Sequence, residues 1–245
     1  VFSFFRKKST GPADFRFLGT DFHSHLIPGI DDGAKTVTDS IVMIKGLIEL
    51  GYTRIITTPH IIGDYYPNTP EIIRSGLEKV KEGLKVAGIE IPVEAAAEYF
   101  LDDYFAKILE SDTELLSFGN KYILVEFSTF SASQNGLSLI FQLKTKGYQP
   151  ILAHPERYLY FMDQFDQFEK LKTAGCLFQT NLLSLAGHYG DGQKKLGIRL
   201  LKAGMVDFLA TDLHRVGHLD KIQKVFRDRT VRQLIEKTTF KNKEL

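Results

Sequence analysis

Tryptophan is missing from the 245 residues, and cysteine occurs once, as Cys176. A single thiol excludes an intramolecular disulfide and fits a reducing cytoplasm, the expected location. Neither sign of charge dominates: 31 Lys and Arg face 30 Asp and Glu, a net charge of +1. That balance argues against a nucleic-acid-coating surface and an acidic tail, so no nucleic-acid partner is expected. No run approaches the ~18 apolar residues of a transmembrane segment. The opening Val1-Phe2-Ser3-Phe4-Phe5-Arg6-Lys7-Lys8 puts apolar residues before a basic cluster. A signal peptide has the reverse order and a longer apolar stretch, so residues 1–16 read as an N-terminal arm.

What is present is an alternation of strand-like and helix-like segments. Strands are expected in residues 17–25, 54–58, 90–97, 121–127, 149–153, 176–180 and 205–210. Each is a short apolar or β-branched run. Helices are expected over 36–50, 69–88, 101–111, 137–146, 163–174, 193–203 and 221–237. Several of these helical segments are followed by a glycine at C-cap spacing, such as Gly51, Gly147, Gly175 and Gly204. About seven β-α units imply an α/β fold with parallel strands, and that number favours closure into a distorted TIM-like (β/α)7 barrel. Residues 17–238 would form one catalytic domain and 239–245 a tail, frayed over Lys241-Asn242-Lys243-Glu244.

The histidines and carboxylates fall in phase with these strands. Five of the seven histidines lie in His23-Ser24-His25, Thr58-Pro59-His60, Ala153-His154-Pro155 and Asp212-Leu213-His214. Asp32, Glu98 and Glu126 end or interrupt apolar runs. His23 and His25 are two apart on a strand, so both point to one face, and Asp212 and His214 share that spacing. In parallel barrels the functional face is the C-terminal end of the strands. His60, Glu98, Glu126 and His154 each follow an expected strand, and Asp32 lies in a Gly29–Gly33 loop able to fold back over the same mouth. Singly, each has an ordinary structural reading, as His188 and His218 do. Glu126 is harder to dismiss, because a carboxylate inside an apolar run must be paired or bound to a cation. Together the residues point to a multinuclear metal site. Four carboxylates and five neutral imidazoles carry about −4, which three divalent ions turn to about +2. A positive, water-containing pocket suits a phosphate ester.

These motifs, in this order, resemble the polymerase-and-histidinol-phosphatase (PHP) superfamily. Within it they are most similar to the bacterial metal-dependent tyrosine phosphatases of capsular and exopolysaccharide systems. The likeness rests on Asp21-Phe22-His23-Ser24-His25 with Asp31-Asp32-Gly33, then Ala97-Glu98 and Val125-Glu126-Phe127-Ser128. It continues through His154-Pro155-Glu156-Arg157-Tyr158, Asn181-Leu182-Leu183-Ser184 and Ala210-Thr211-Asp212-Leu213-His214. It spans roughly residues 18–235.

The resemblance implies metal ligands at His23, His25, Asp32, His60, Glu98, Glu126, His154, Asp212 and His214. They would hold three divalent ions, manganese by expectation, with iron or zinc as alternatives. It implies phosphate binding by Arg157. Relatives often carry a further arginine where Leu219 stands, and Arg215 or His218 is the candidate to replace it in binding substrate. The expected reaction is in-line attack of a metal-bridging hydroxide on phosphotyrosine of a protein, with His214 as a candidate proton donor to the leaving group. The expected partner is the tail of a tyrosine kinase that regulates polysaccharide synthesis. A cysteine mechanism is excluded, since it needs Cys and Arg six positions apart and position 182 is Leu182. Two other readings stand beside this one: a small-molecule phosphatase, such as one for histidinol phosphate, and a non-catalytic metal-binding regulatory module.

Overall fold

The computed structural model describes residues 14–111 and 113–245, so most of the expected N-terminal arm lies outside the described residues. Of its last three residues, Phe15 is anchored. Phe15 is fully buried and stacks on Tyr52 at 5.8 Å. Strand β1 (Thr20–Asp21) leads to helix α1 (Val37–Glu49). Thr36 and Asp39 close a reciprocal capping box at its start, and Met43, Ile44 and Leu47 form its buried stripe. Next come β2 (Arg54–Thr57), β3 (His60–Ile61) and α2 (Pro70–Val86), which has Thr69 as N-cap and proline at its first position. β4 (Val93–Ala95), β5 (Glu98–Phe100), α3 (Asp103–Glu110), β6 (Tyr122–Glu126) and α4 (Gly136–Thr145) follow. The remaining units are β7 (Gln149–Ala153), α5 (Asp166–Thr173), β8 (Leu177–Asn181), a short α6 (Leu182–Leu185) and α7 (Asp191–Lys202). β9 (Phe208–Ala210), α8 (Val216–Ile222) and α9 (Arg229–Lys237) end the alternation.

Every strand ladder is parallel. One sheet has the order β1-β2-β4 and the other β3-β5-β6-β7-β8-β9. The expected strands 54–58 and 90–97 form as the shorter β2 and β4, and after each a break is followed by a further short strand that was not expected, β3 and β5. Pro59 lies at the first break and has no N–H to give the ladder. The chain resumes when the Glu98 N–H donates to the Pro59 carbonyl at 3.1 Å. The far edges also meet. The Asp212 N–H donates to the His23 carbonyl at 2.7 Å and the His25 N–H to the Leu213 carbonyl at 3.0 Å.

Strand side chains alternate between two apolar clusters. Ile55, Ile123, Leu152 and Leu209 pack outward with the helices, while Phe22, Ile56, Leu124, Ile151 and Phe208 pack with one another. Strands buried on both faces read as near-continuous apolar runs, as these do.

Two expectations are corrected. The helix expected over 221–237 is two helices, because the Asp228 carboxylate accepts from the Thr230 and Val231 N–H groups and starts α9 afresh. The tail does not fray at Asn242. That side chain is fully buried, donates to the Thr20 and Leu209 carbonyls at 3.0 and 2.7 Å, and accepts from the Leu209 N–H at 3.2 Å. No helix among the described residues is long and apolar enough to cross a membrane.

Candidate metal centre

The nine candidate ligands converge at one end of the strands. His23 and His25 follow β1, His60 opens β3, Glu98 opens β5 directly opposite it, and Glu126 closes β6. His154 and Asp212 come just after β7 and β9. Both have left-handed backbone, with φ of 35° and 51°. For residues other than glycine this conformation costs about 1–3 kcal/mol, and it persists where the surroundings impose it. Here it turns each chain out of its strand at the cluster. Asp32 arrives on a loop that folds back onto the first strand end, with the Ala34 N–H donating to the His25 carbonyl at 3.0 Å. Gly33 permits that approach. A Cβ there would lie 2.2 Å from the His25 carbonyl oxygen.

Glu98, fully buried, is the hub. Its Oε2 lies 3.2 Å from His23 Nε2 and 3.1 Å from His60 Nδ1, and its Oε1 lies 3.1 Å from His154 Nε2. Glu126 Oε1 is 3.1 Å from His60 Nδ1. Asp212 Oδ1 is 3.4 Å from His23 Nε2 and 3.2 Å from His214 Nδ1. Asp32 Oδ1 is 3.3 Å from His214 Nε2 and 3.6 Å from His60 Nε2. Four overlapping groups of these donors are compact enough to hold an ion: His25-Asp32-His60-His214, His23-His154-Asp212, His23-His25-Glu98 and His60-Glu98-Glu126. All nine candidates appear among them.

Outer contacts decide which ring nitrogens face the centre. Asn181 Nδ2 donates to Asp212 Oδ2 at 2.6 Å, which turns its oxygen to accept from Gln179 Nε2 at 2.7 Å. Gln179 Oε1 must then accept from His23 Nδ1 at 2.8 Å, leaving the Nε2 lone pair pointing inward. Asp31 Oδ2 does the same for His25 through Nδ1 at 2.8 Å, and the carboxylate is itself held by the Gly33 N–H on Oδ1 and the His60 N–H on Oδ2. A carboxylate or amide behind a histidine is the arrangement that orients metal-ligating imidazoles. His23 Nε2, His25 Nε2, His60 Nδ1, Asp32 Oδ1 and Glu98 Oε2 are buried without a hydrogen-bond partner. Unpaired buried polar atoms on one centre are what a cation site requires. The residues therefore fit divalent metal.

Charge within the cluster is mutually compensating. Burial opposes protonation of His25, as does nearby His60, but Asp31 and Asp212 prevail and raise it to about 9. Burial likewise penalises the Asp31 carboxylate, yet His25 and His60 bring it down to about 2. Glu98 and Asp212 are held well below the usual carboxylate range by the surrounding histidines, against their burial.

Arg157 reaches the edge of this cluster. Its guanidinium lies 4.6 Å over the Tyr189 ring, and Nη1 is 3.5 Å from Asp212 Oδ2. The Tyr189 hydroxyl donates to the same Oδ2 at 3.2 Å. An ion pair of Arg157 with Glu156, the ordinary reading, does not form. The buried Glu156 instead accepts from the Asn181 N–H at 2.9 Å. Arg215 is exposed at the start of α8. His218 is closer, with its ring 6.3 Å from that of His214 and 4.9 Å from that of His188. Leu219 is buried against α1, where a Cβ on Gly46 would lie 2.2 Å from its Cδ1. Cys176 is buried, and burial pushes its thiol up to about 12.

Sequence reasoning missed Asp31, Gln179 and Tyr189 as positioning groups. The first two left a signal: Asp31 adjoins Asp32, and Gln179 is two residues from Asn181, hence on the same strand face. Tyr189 left none, because its contact with Arg157 crosses 32 residues of chain.

The chain resembles known proteins along most of its length. It is 32% identical over 197 residues to the tyrosine-protein phosphatase YwqE of Bacillus subtilis, covering 80% of this chain and 77% of that one. It is 27% identical over 205 residues to the tyrosine-protein phosphatase CpsB of Streptococcus pneumoniae, covering 80% and 83%. It superposes on a crystal structure of the YwqE and CpsB metal-dependent tyrosine phosphatases with a TM-score of 0.76 and 29% identity, over 90% of this chain and 96% of that one. Residues 19–244 match the family model for capsular polysaccharide synthesis, CpsB/CapC, and the chain belongs to that family.

Proposed function

We propose that this protein is a metal-dependent phosphohydrolase that removes phosphate from phosphotyrosine on a protein. The observation that carries the reading is the set of inward-facing imidazole nitrogens and carboxylate oxygens without partners, set beside the Arg157 guanidinium. Family membership supports the substrate class, and the proposed partner is a tyrosine kinase tail in capsular or exopolysaccharide synthesis. We further assign the nine residues to three divalent ions, with manganese the first choice and iron or zinc suited to the same donors. The parallel strands are assigned to a distorted seven-unit barrel whose two sheets are joined through the His23–Asp212 and His25–Leu213 backbone contacts. When bound, the ions supply water activated near neutral pH and positive charge for the phosphate oxygens.

The chain's own groups do the rest. Arg157 offers a planar fork to the phosphate, and Tyr189 holds it from beneath while sharing Asp212. His214 is assigned to the ions alone: its Nδ1 is 3.0 Å from the Asp212 carbonyl and its Nε2 faces Asp32, so no ring nitrogen is left to serve the leaving group. His218 and Arg215 are placed at the rim, where they meet substrate beyond the phosphate. Purified protein loaded with manganese should cleave a phosphotyrosyl peptide much faster than histidinol phosphate. The reverse preference would support the small-molecule reading, and metal binding without any turnover would support a regulatory module.

A further inference from the structure

The hydrolytic chemistry leaves one structured feature at the mouth unused. Between His60 and α2 the chain makes a tight turn, in which the Ile62 N–H donates to the Tyr66 carbonyl at 3.0 Å and the Tyr66 N–H to the Ile62 carbonyl at 2.8 Å. The turn is pinned on both sides. The buried Asn68 side chain donates to the His60 carbonyl at 2.8 Å and to the Ile30 carbonyl at 3.0 Å, which ties it to the loop carrying Asp32. Gly63 lies so close to Tyr104 that a Cβ there would sit 2.6 Å from the Tyr104 Cβ. The product of this bracing is the placement of Tyr66. Its ring stacks on His60 at 5.7 Å with 11° between the planes, and it is only half-buried. Asp32, whose loop the Asn68–Ile30 bond ties to the same turn, is itself partly exposed at the mouth.

We propose that Tyr66 is a specificity-determining residue, the wall against which the phenyl ring of the substrate packs. The inference rests on the phosphotyrosine reading above and deepens it by selecting aryl over ring-free phosphates. A phosphate held among the ions must send its ester oxygen and the attached group out through the mouth. A phenyl ring there meets a ring already fixed in place, so little ordering is lost on contact. A ring-free phosphate has nothing to lay against it. Aromatic pairs of this kind are worth about three- to tenfold in an equilibrium.

The test compares kcat/KM for a phosphotyrosyl peptide and for acetyl phosphate, an activated phosphate with no ring, using manganese-loaded protein. Tyr66→Ala should lower the peptide value about three- to tenfold relative to acetyl phosphate, mainly through KM. Tyr66→Phe should keep the wild-type ratio, because it retains the ring. Any disturbance of metal through His60 falls on both substrates and leaves the ratio unmoved. A ratio unchanged in Tyr66→Ala, or lost equally in Tyr66→Phe, overturns the wall and leaves the phosphatase reading standing. Failure of wild-type protein to cleave the phosphotyrosyl peptide overturns both.

Discussion

The role proposed for Arg157 is separable from metal holding, because it touches one candidate ligand carboxylate, that of Asp212, by its edge and spends its face on Tyr189. Arg157→Ala should reduce kcat on a phosphotyrosyl peptide by about 100-fold, the typical cost of removing a preorganised charged donor. Metal content by elemental analysis should stay at the wild-type level. Full activity in that variant would remove Arg157 from the reaction. Cys176 supplies the opposite expectation. Its thiol is buried and pushed up to about 12, so alkylating reagents applied to folded protein should leave turnover unchanged. Rapid inactivation accompanied by modification of Cys176 would show that the thiol is reachable and serves turnover.

The elements explain how distant residues are brought into register. Asn242 clasps the backbones of β1 and β9 with three hydrogen bonds, so the C-terminal turn holds the first and last strands side by side. Asn242→Ala should destabilise the fold by about 2–3 kcal/mol, at about 1 kcal/mol per bond. Urea denaturation measures it, and a change under 0.5 kcal/mol would make the clasp incidental. This contact was not legible in the sequence, where Lys241-Asn242-Lys243-Glu244 has the composition of a frayed end. The break at Asp228 was equally hidden, because an N-cap in mid-pattern looks like a polar position on one long helix. The strand-helix alternation was legible, since apolar runs of four to eight residues and C-cap glycines mark it directly. The nine converging residues were legible for a related reason: strand ends bring successive motifs to one place, and period two gives the facing. The groups behind them were not. Tyr189 lies off any strand, and only the folded chain sets its ring under Arg157.

For the whole molecule, metal and protons compete for the same atoms. The raised affinity of His25 for protons, to about 9, means that a metal held there as proposed must displace a proton at neutral pH. Metal affinity should therefore rise with pH up to about 9. Calorimetry in buffers of different ionisation enthalpy should show net proton release. The metal-free protein should behave in the opposite sense. A histidine raised above its unfolded value of about 6.5 stabilises the fold fully below that pH and loses its effect as pH climbs through about 9. Stability of the stripped protein should fall over that window, and melting temperatures across pH check it. An increase with pH would show that the imidazoles are not paired as described.

Stepwise addition of manganese to chelator-stripped protein, with turnover of a phosphotyrosyl peptide followed throughout, tests whether hydrolysis depends on the metal centre. Stripped protein should be inactive, and activity should return with bound metal, saturating near three ions per chain. Undiminished turnover in protein shown to be metal-free would contradict that dependence.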